Sequence, residues 1–407
     1  MIAEVENPPT GGARPPPDAA AGVSDPDSLR KPISLRGRRR PLERALEFGI
    51  FAVAASAILL VILIFAFVGR EAMPLALGKM SNAHVVKALT PAEVAALSED
   101  QMAEYLGVSV KELRTYDEQT RQILIESKAE ENAAVDNPDA KINTASLPML
   151  VKPHRWEGYD KPSFIWQPVS EVPKFNIVPL IIGSLKATFV ALLFSVPLGV
   201  GAALHVSQIV RPKWREWIKP IIELLSGFPS VVLGFFGLIV LASIMQGAFG
   251  YTSRLNALVA GVALGLSVIP IIFTISEDAL SSVPRAYTHA ALALGASPGQ
   301  VAWQIVLPAA LPGVFAACIL GFGRAIGETM IVLMASGNAS IVSASLLDSC
   351  RTMTATIAAE LAEVVFGGIH YRMLFLIGAA LFAVTFLTNL AGEAVVNRLK
   401  RRLEGGR

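Results

Sequence analysis

The feature that most constrains this chain is the grouping of its apolar residues. They form blocks long enough to cross a bilayer, rather than the short periodic stripes of a soluble core. The first block, 48–69, is 22 residues without a charge, and a membrane-spanning helix needs about 20. Five more lie at roughly 178–205, 221–246, 256–276, 312–335 and 372–395. A helix satisfies its own backbone in lipid, which an open strand cannot do. The blocks therefore predict an all-α integral membrane protein with six transmembrane helices. Composition agrees. Of 407 residues, 53% are hydrophobic and 17% charged, where soluble proteins have about 45–50% and about 25%. The net charge of +2 gives no global field for nucleic acid. Two cysteines and five scattered histidines leave no disulfide scaffold, Cys-rich zinc site or iron–sulfur site, and no metal site is predicted.

The blocks divide the chain. Residues 1–40, rich in Pro, Gly, Ala, Asp and Ser, predict a disordered cytoplasmic tail. Seven Lys/Arg between Arg30 and Arg44 place that end in the cytoplasm. The first helix is expected at 44–70. Its apolar core is too long for a cleaved signal peptide, and no small-residue cleavage site closes it. Residues 71–175 carry 16 acidic and 11 basic residues and no spanning stretch, so they predict a soluble extracytoplasmic insert. Its first half is helical by three capping-box patterns, beginning at Thr90, Ser98 and Ser109. Its second half holds Pro148, Pro153, Pro162, Pro168 and Pro173 with Trp156 and Trp166, and reads as extended or looped. Residues 176–397 form a membrane core with helices 2–6, and 398–407 a basic cytoplasmic tail. Arg211, Lys213, Arg215 and Lys219 mark the second–third loop as cytoplasmic. Both termini then lie inside.

The loop at about 285–309 contains two short helices parted at Pro298-Gly299. On pattern alone it is either a knob that another protein pushes or an ordinary re-entry hairpin. Its residues Ala290, Ala291, Gly295, Ile305, Leu307 and Pro308 fall at the spacing of the EAA loop, which it resembles, of binding-protein-dependent ABC-importer permeases. His289 stands where that family usually has Glu. The resemblance implies that this segment docks on a separate ATPase subunit, with one polar contact altered at His289.

Further motifs narrow the resemblance to the phosphate-specific transport (Pst) permeases, most closely their C subunit. They are Leu225-Ser226-Gly227-Phe228-Pro229-Ser230, Pro270-Ile271-Ile272 with Ser276-Glu277-Asp278, Gly323-Arg324-Ala325-Ile326-Gly327-Glu328-Thr329-Met330 with Gly337-Asn338, and Arg351-Thr352-Met353-Thr354 through His370-Tyr371. The match runs from about residue 175 to the C-terminus. It implies the type I ABC-importer permease fold, an inner-membrane location, and half of a pathway for inorganic phosphate. The implied partners are an ATP-binding subunit, a second permease of the A type, an extracytoplasmic phosphate-binding protein and membrane lipid. ATP would be used by the partner. No cofactor is expected on this chain, which has no Gly-x4-Gly-Lys-Ser/Thr loop and is read as a transport subunit rather than an enzyme. The alternatives are a permease for phosphonate, molybdate or sulfate, and a membrane sensor or scaffold.

Among individual residues, Arg324 and Glu328 stand out. They are four apart within the expected fifth helix, hence on one face. A charge at the bilayer centre costs about 2.5–3.5 kcal/mol. They are read as a substrate-pathway pair, the guanidinium meeting phosphate oxygens and the carboxylate restraining it. A structural ion pair pinning two helices is the other reading. Weaker candidates are Lys186, at the outer end of the second helix, where snorkelling serves as well, and Glu277 and Asp278, either solvated helix-end charges or anchors of the coupling loop. Residues 98–116 look like a DNA-reading helix-turn-helix. From Ser109 to Lys128, however, four basic and four acidic residues cancel, and the expected side of the membrane excludes DNA. No nucleic-acid partner is expected.

Overall fold

The computed structural model describes residues 41–80, 93–94, 96–134, 139, 142–170 and 172–404. The expected tail at 1–40 and the capping box at Thr90 lie outside the described residues. The chain divides into two compact units, Met1–Leu63 and Ile64–Arg407. Among the described residues, six helices are long and apolar enough to cross a membrane.

Helix α1 (Pro41–Ala76) is the first. Residues 46–63, within the first unit, are exposed along their whole length, as suits a surface that meets lipid or another chain. Beyond Ile64 the helix joins the second unit. Phe65 and Phe67 meet Phe382 and Phe375 edge to face, and Leu75 is fully buried.

The described part of the insert includes α2 (Glu99–Leu106), α3 (Val110–Thr115) and α4 (Glu118–Ala134). Two capping boxes form as expected. Ser98 Oγ accepts Gln101 N–H while Gln101 returns to Ser98 N–H. Ser109 and Glu112 do the same. Downstream, α5 (Leu147–Val151) is followed by strands β1 (Trp166–Gln167) and β2 (Lys174–Phe175), antiparallel with Trp166 opposite Phe175. This half is not a free loop. Leu150, Trp166 and Phe175 share an apolar cluster with Leu75, Leu180, Met353, Met373 and Leu374, which ties the insert to one end of the membrane helices.

The core is α6 (Val178–Gln208), α8 (Ser230–Phe249), α9 (Ala257–Ser281), α11 (Pro298–Gly327) and α14 (Ile369–Glu404). Helix α9 is the most enclosed of the spanning helices. It lies against α6 through close backbone approach. A Cβ at Gly261 would sit 2.4 Å from Val190 Cβ, so only glycine permits the contact. Ala187, Ala191, Leu264, Val268 and Ile331 fill the middle of the bundle. Leu204, Phe273, Leu280, Val301 and Val306 fill its other end.

Two boundaries differ from the apolar blocks. The expected third helix at 221–246 is two helices, an amphipathic α7 (Pro212–Ser226) and the spanning α8. Gly227-Phe228-Pro229 breaks them, because Pro229 lacks an N–H and biases Phe228 away from helix. Helix α8 contains one π turn at Gly237–Leu241. The expected fifth helix at 312–335 instead starts at Pro298, runs through Leu307-Pro308 and ends at Gly327. A π turn at Ala302–Val306 absorbs the missing N–H of Pro308. Residues 330–335 are a separate short helix, α12 (Met330–Ala335). The basic residues from 398 onward extend α14 as far as Glu404.

Candidate functional site

The sharpest local departure from regular helix is the break after Gly327. Glu328 has extended backbone (φ −71°, ψ 138°). Its carboxylate Oε1 accepts the N–H groups of Thr329 and Met330, both at 3.1 Å, and so caps α12 at its positive end. Its carbonyl accepts Thr354 Oγ1 at 2.8 Å. Non-helical backbone at membrane depth is tolerated only where it is buried in protein or lines a cavity. Here a cleft of about 420 Å³ is lined by Thr329, Thr354, Ile357, Ala358, Leu361 and Ala362.

The expected pairing of Arg324 with Glu328 is therefore corrected. The helix that would have stacked them ends between them, and the carboxylate is taken by backbone N–H groups. Arg324 sits in the last turn of α11 and is exposed. Among the described residues no ion pair joins the two. From Leu307 to Arg324 the helix rises about 25 Å at about 1.5 Å per residue, within the apolar thickness of about 30 Å.

A second arrangement escaped the sequence reading. In α13 (Met353–Glu360) the terminal Glu360 accepts from Arg351 Nη2 at 2.7 Å and from Trp166 Nε1 at 3.1 Å, and meets His370 Nε2 at 2.8 Å. Arg351 Nε, also buried, has no hydrogen-bond partner among the described residues. Three residues from separate parts of the chain converge on one carboxylate. Their sequence separations carry no helical spacing, so no local pattern marks them. Lys186, expected to snorkel or to attract anions, is tied to backbone carbonyls. Its ammonium donates to the carbonyls of Ser343 and Ser345 at 3.1 and 2.6 Å, holding the loop between α12 and α13.

At the other end, Glu277 is fully buried rather than solvated. Arg215 Nη2 donates to its Oε1, Lys219 Nζ to its Oε2 at 2.9 Å, and Ser281 Oγ to Oε1 at 2.9 Å. Asp278 takes Lys219 at 3.1 Å and is otherwise exposed. The Lys219 ammonium, hydrogen-bonded to Glu277, titrates above the usual lysine range. The four charges clamp α7 onto the end of α9, directly before the expected coupling loop.

That loop is α10 (Arg285–Ala293), a turn, and the start of α11. Gly295 is left-handed (φ +87°), which a side chain would strain. Ser297 and Gln300 form a reciprocal cap on the next helix. His289, Ala290, Ile305 and Pro308 are exposed, while Ala291 and Leu307 pack on the inner cluster. Leu294 at the turn is 90% exposed and Trp303 63%. Among the described residues no cluster of three metal-ligating side chains occurs.

Comparison with known proteins places these features in a family. Residues 195–405 match the family described as binding-protein-dependent transport system inner membrane component. The chain is 34% identical over 240 residues to the probable ABC transporter permease protein YqgH of Bacillus subtilis, covering 58% of this chain and 77% of that protein. It is 32% identical over 256 residues to the phosphate transport system permease protein PstC of Mesorhizobium japonicum, with the same coverage. It is 31% identical over 249 residues to PstC 1 of Mycobacterium tuberculosis, covering 56% and 74%. Among solved structures, the MetNI methionine ABC transporter in an inward-facing form aligns at a TM-score of 0.42 and 19% identity, over 55% of this chain and 94% of that one.

Proposed function

Because the chain belongs to the binding-protein-dependent transport system inner membrane components, we propose that it is the transmembrane permease subunit of an ATP-driven inorganic-phosphate importer, of the C type. It carries solute across the inner membrane and leaves ATP hydrolysis to a separate subunit. A second permease of the A type supplies the other half of the pathway, and an extracytoplasmic phosphate-binding protein delivers the ion. Both termini face the cytoplasm.

The observation that carries this reading is the continuity of α11. One 30-residue helix has the coupling loop at its start and Arg324 in its last turn. ATP binding in the partner displaces α10 and the head of α11. Val301, Ala302 and Val306 pack on Leu204, Phe273 and Leu280, so the push reaches α6 and α9 together. The π turn at Ala302–Val306 is the compliant point. At the far end Arg324 offers a planar fork suited to phosphate oxygens. Glu328, held by its own cap, keeps a negative charge close by, so attraction to the anion is limited and release stays possible. Alternating access then exposes Arg324 first outward and then inward.

A strain lacking this chain should grow poorly under phosphate limitation and take up little labelled phosphate. Excess phosphonate, molybdate or sulfate should leave uptake by the intact strain unchanged. Competition by one of these would move the substrate to that oxyanion. A stable complex without any ATPase, and with no uptake defect, would favour a sensor instead.

A further inference from the structure

We propose that the cleft beside α10 seats an acidic side chain of the ATP-binding subunit, so that this permease holds its ATPase through a basic pocket. The inference rests on reading 285–309 as the ATPase-coupling loop. The cleft, about 300 Å³, is bounded by Ser207 and Gln208 at the end of α6, by Arg215 of α7, and by Arg285, Thr288 and His289 of α10. Arg285 and His289 are four residues apart and so share one face of their helix.

No carboxylate lines the cleft. The acid that could have neutralised it, Glu277, is buried and already bonded to Arg215 and Lys219. Among the described residues, neither Arg285 nor His289 has a hydrogen bond or ion pair. A pocket with this lining favours an anion, and a carboxylate meets an arginine fork with two parallel hydrogen bonds. A free oxyanion would satisfy the charge alone. The same loop, however, presents Leu294 and Trp303, both highly exposed. Apolar side chains so placed on a water-facing loop call for a protein cover, and one docking protein supplies both the cover and the acid.

The test uses the assembled complex. Arg285→Lys places an amine in the pocket, and a carbodiimide joins amines to adjacent carboxylates without a spacer. Mass spectrometry should find an isopeptide bond from position 285 to an Asp or Glu of the ATPase subunit, absent in the unmodified chain. Retention of the ATPase subunit without that bond overturns the proposal, as does a bond to an acid of this same chain. In parallel, His289→Glu should lower ATPase retention at low salt by about tenfold or more, since like charges at an interface cost several kcal/mol. His289→Gln should retain it, and unchanged retention in His289→Glu overturns the proposal. Should millimolar inorganic phosphate block the modification of Arg285→Lys in the absence of any ATPase, the cleft is a free-ion site instead. If the unmodified chain never co-purifies with an ATPase, the coupling-loop reading fails as well.

Discussion

Three acidic side chains of this molecule, Glu277, Glu328 and Glu360, have each been given a different job by their surroundings. Glu328 caps a short helix with its carboxylate. Glu360 gathers Arg351, His370 and Trp166. Glu277 is buried between two cations and a hydroxyl. Removing the partners of a buried charge costs about 3–5 kcal/mol, while an apolar replacement of the whole group is often neutral. Arg215→Met with Lys219→Met should therefore lower thermal stability in detergent sharply. Adding Glu277→Leu should restore most of it, and equal losses in both variants would contradict the clamp. The Lys219 pKa is raised, first by its hydrogen bond to Glu277, so its contribution is complete below the ordinary lysine value of 10.5 and fades as pH rises through the higher folded value. The stability gap between the native chain and Lys219→Met should hold constant up to about pH 10.5 and narrow above it.

At the scale of elements, the packing of α6 on α9 depends on glycine. Gly261→Leu would drive its side chain into Val190 and the Ala187 carbonyl, and overpacking of this kind typically costs about 1–3 kcal/mol. A lower yield of assembled complex and a lower unfolding temperature are the expected readouts. The spanning helices were legible in the sequence because each apolar block is as long as a bilayer requires. Their ends were less so. Residues on both sides of Gly227–Pro229 and of Glu328 are apolar, so composition continues smoothly where the backbone breaks. The helical spacing of Arg324 and Glu328 therefore suggested a pair that the chain does not make. The capping boxes at Ser98 and Ser109 were readable because they are local, and the Glu360 cluster was not because its members meet only through the fold.

On the scale of the whole molecule, the second half of the insert packs as part of the membrane-helix bundle. Trp166 and Phe175 lie in one apolar cluster with the ends of α1, α6 and α14, and Ser340 Oγ donates to the Trp166 carbonyl at 3.0 Å. Topology can be tested with thiol reagents against the chain's own cysteines. Burial pushes the Cys350 thiol up to about 11, so it stays protonated and unreactive near neutral pH. An exposed Glu157→Cys should react with an impermeant maleimide in spheroplasts. Gln304→Cys on the coupling loop should react only after the membrane is opened, and the reverse pattern would invert the proposed orientation.

Arg324 is proposed as the group that meets phosphate in the membrane. The direct measurement is uptake of labelled phosphate by proteoliposomes holding the full complex, with the native chain or with Arg324→Ala. The expected result is loss of uptake while both permeases and the ATPase remain assembled. Uptake at the native rate by an assembled Arg324→Ala complex would contradict it.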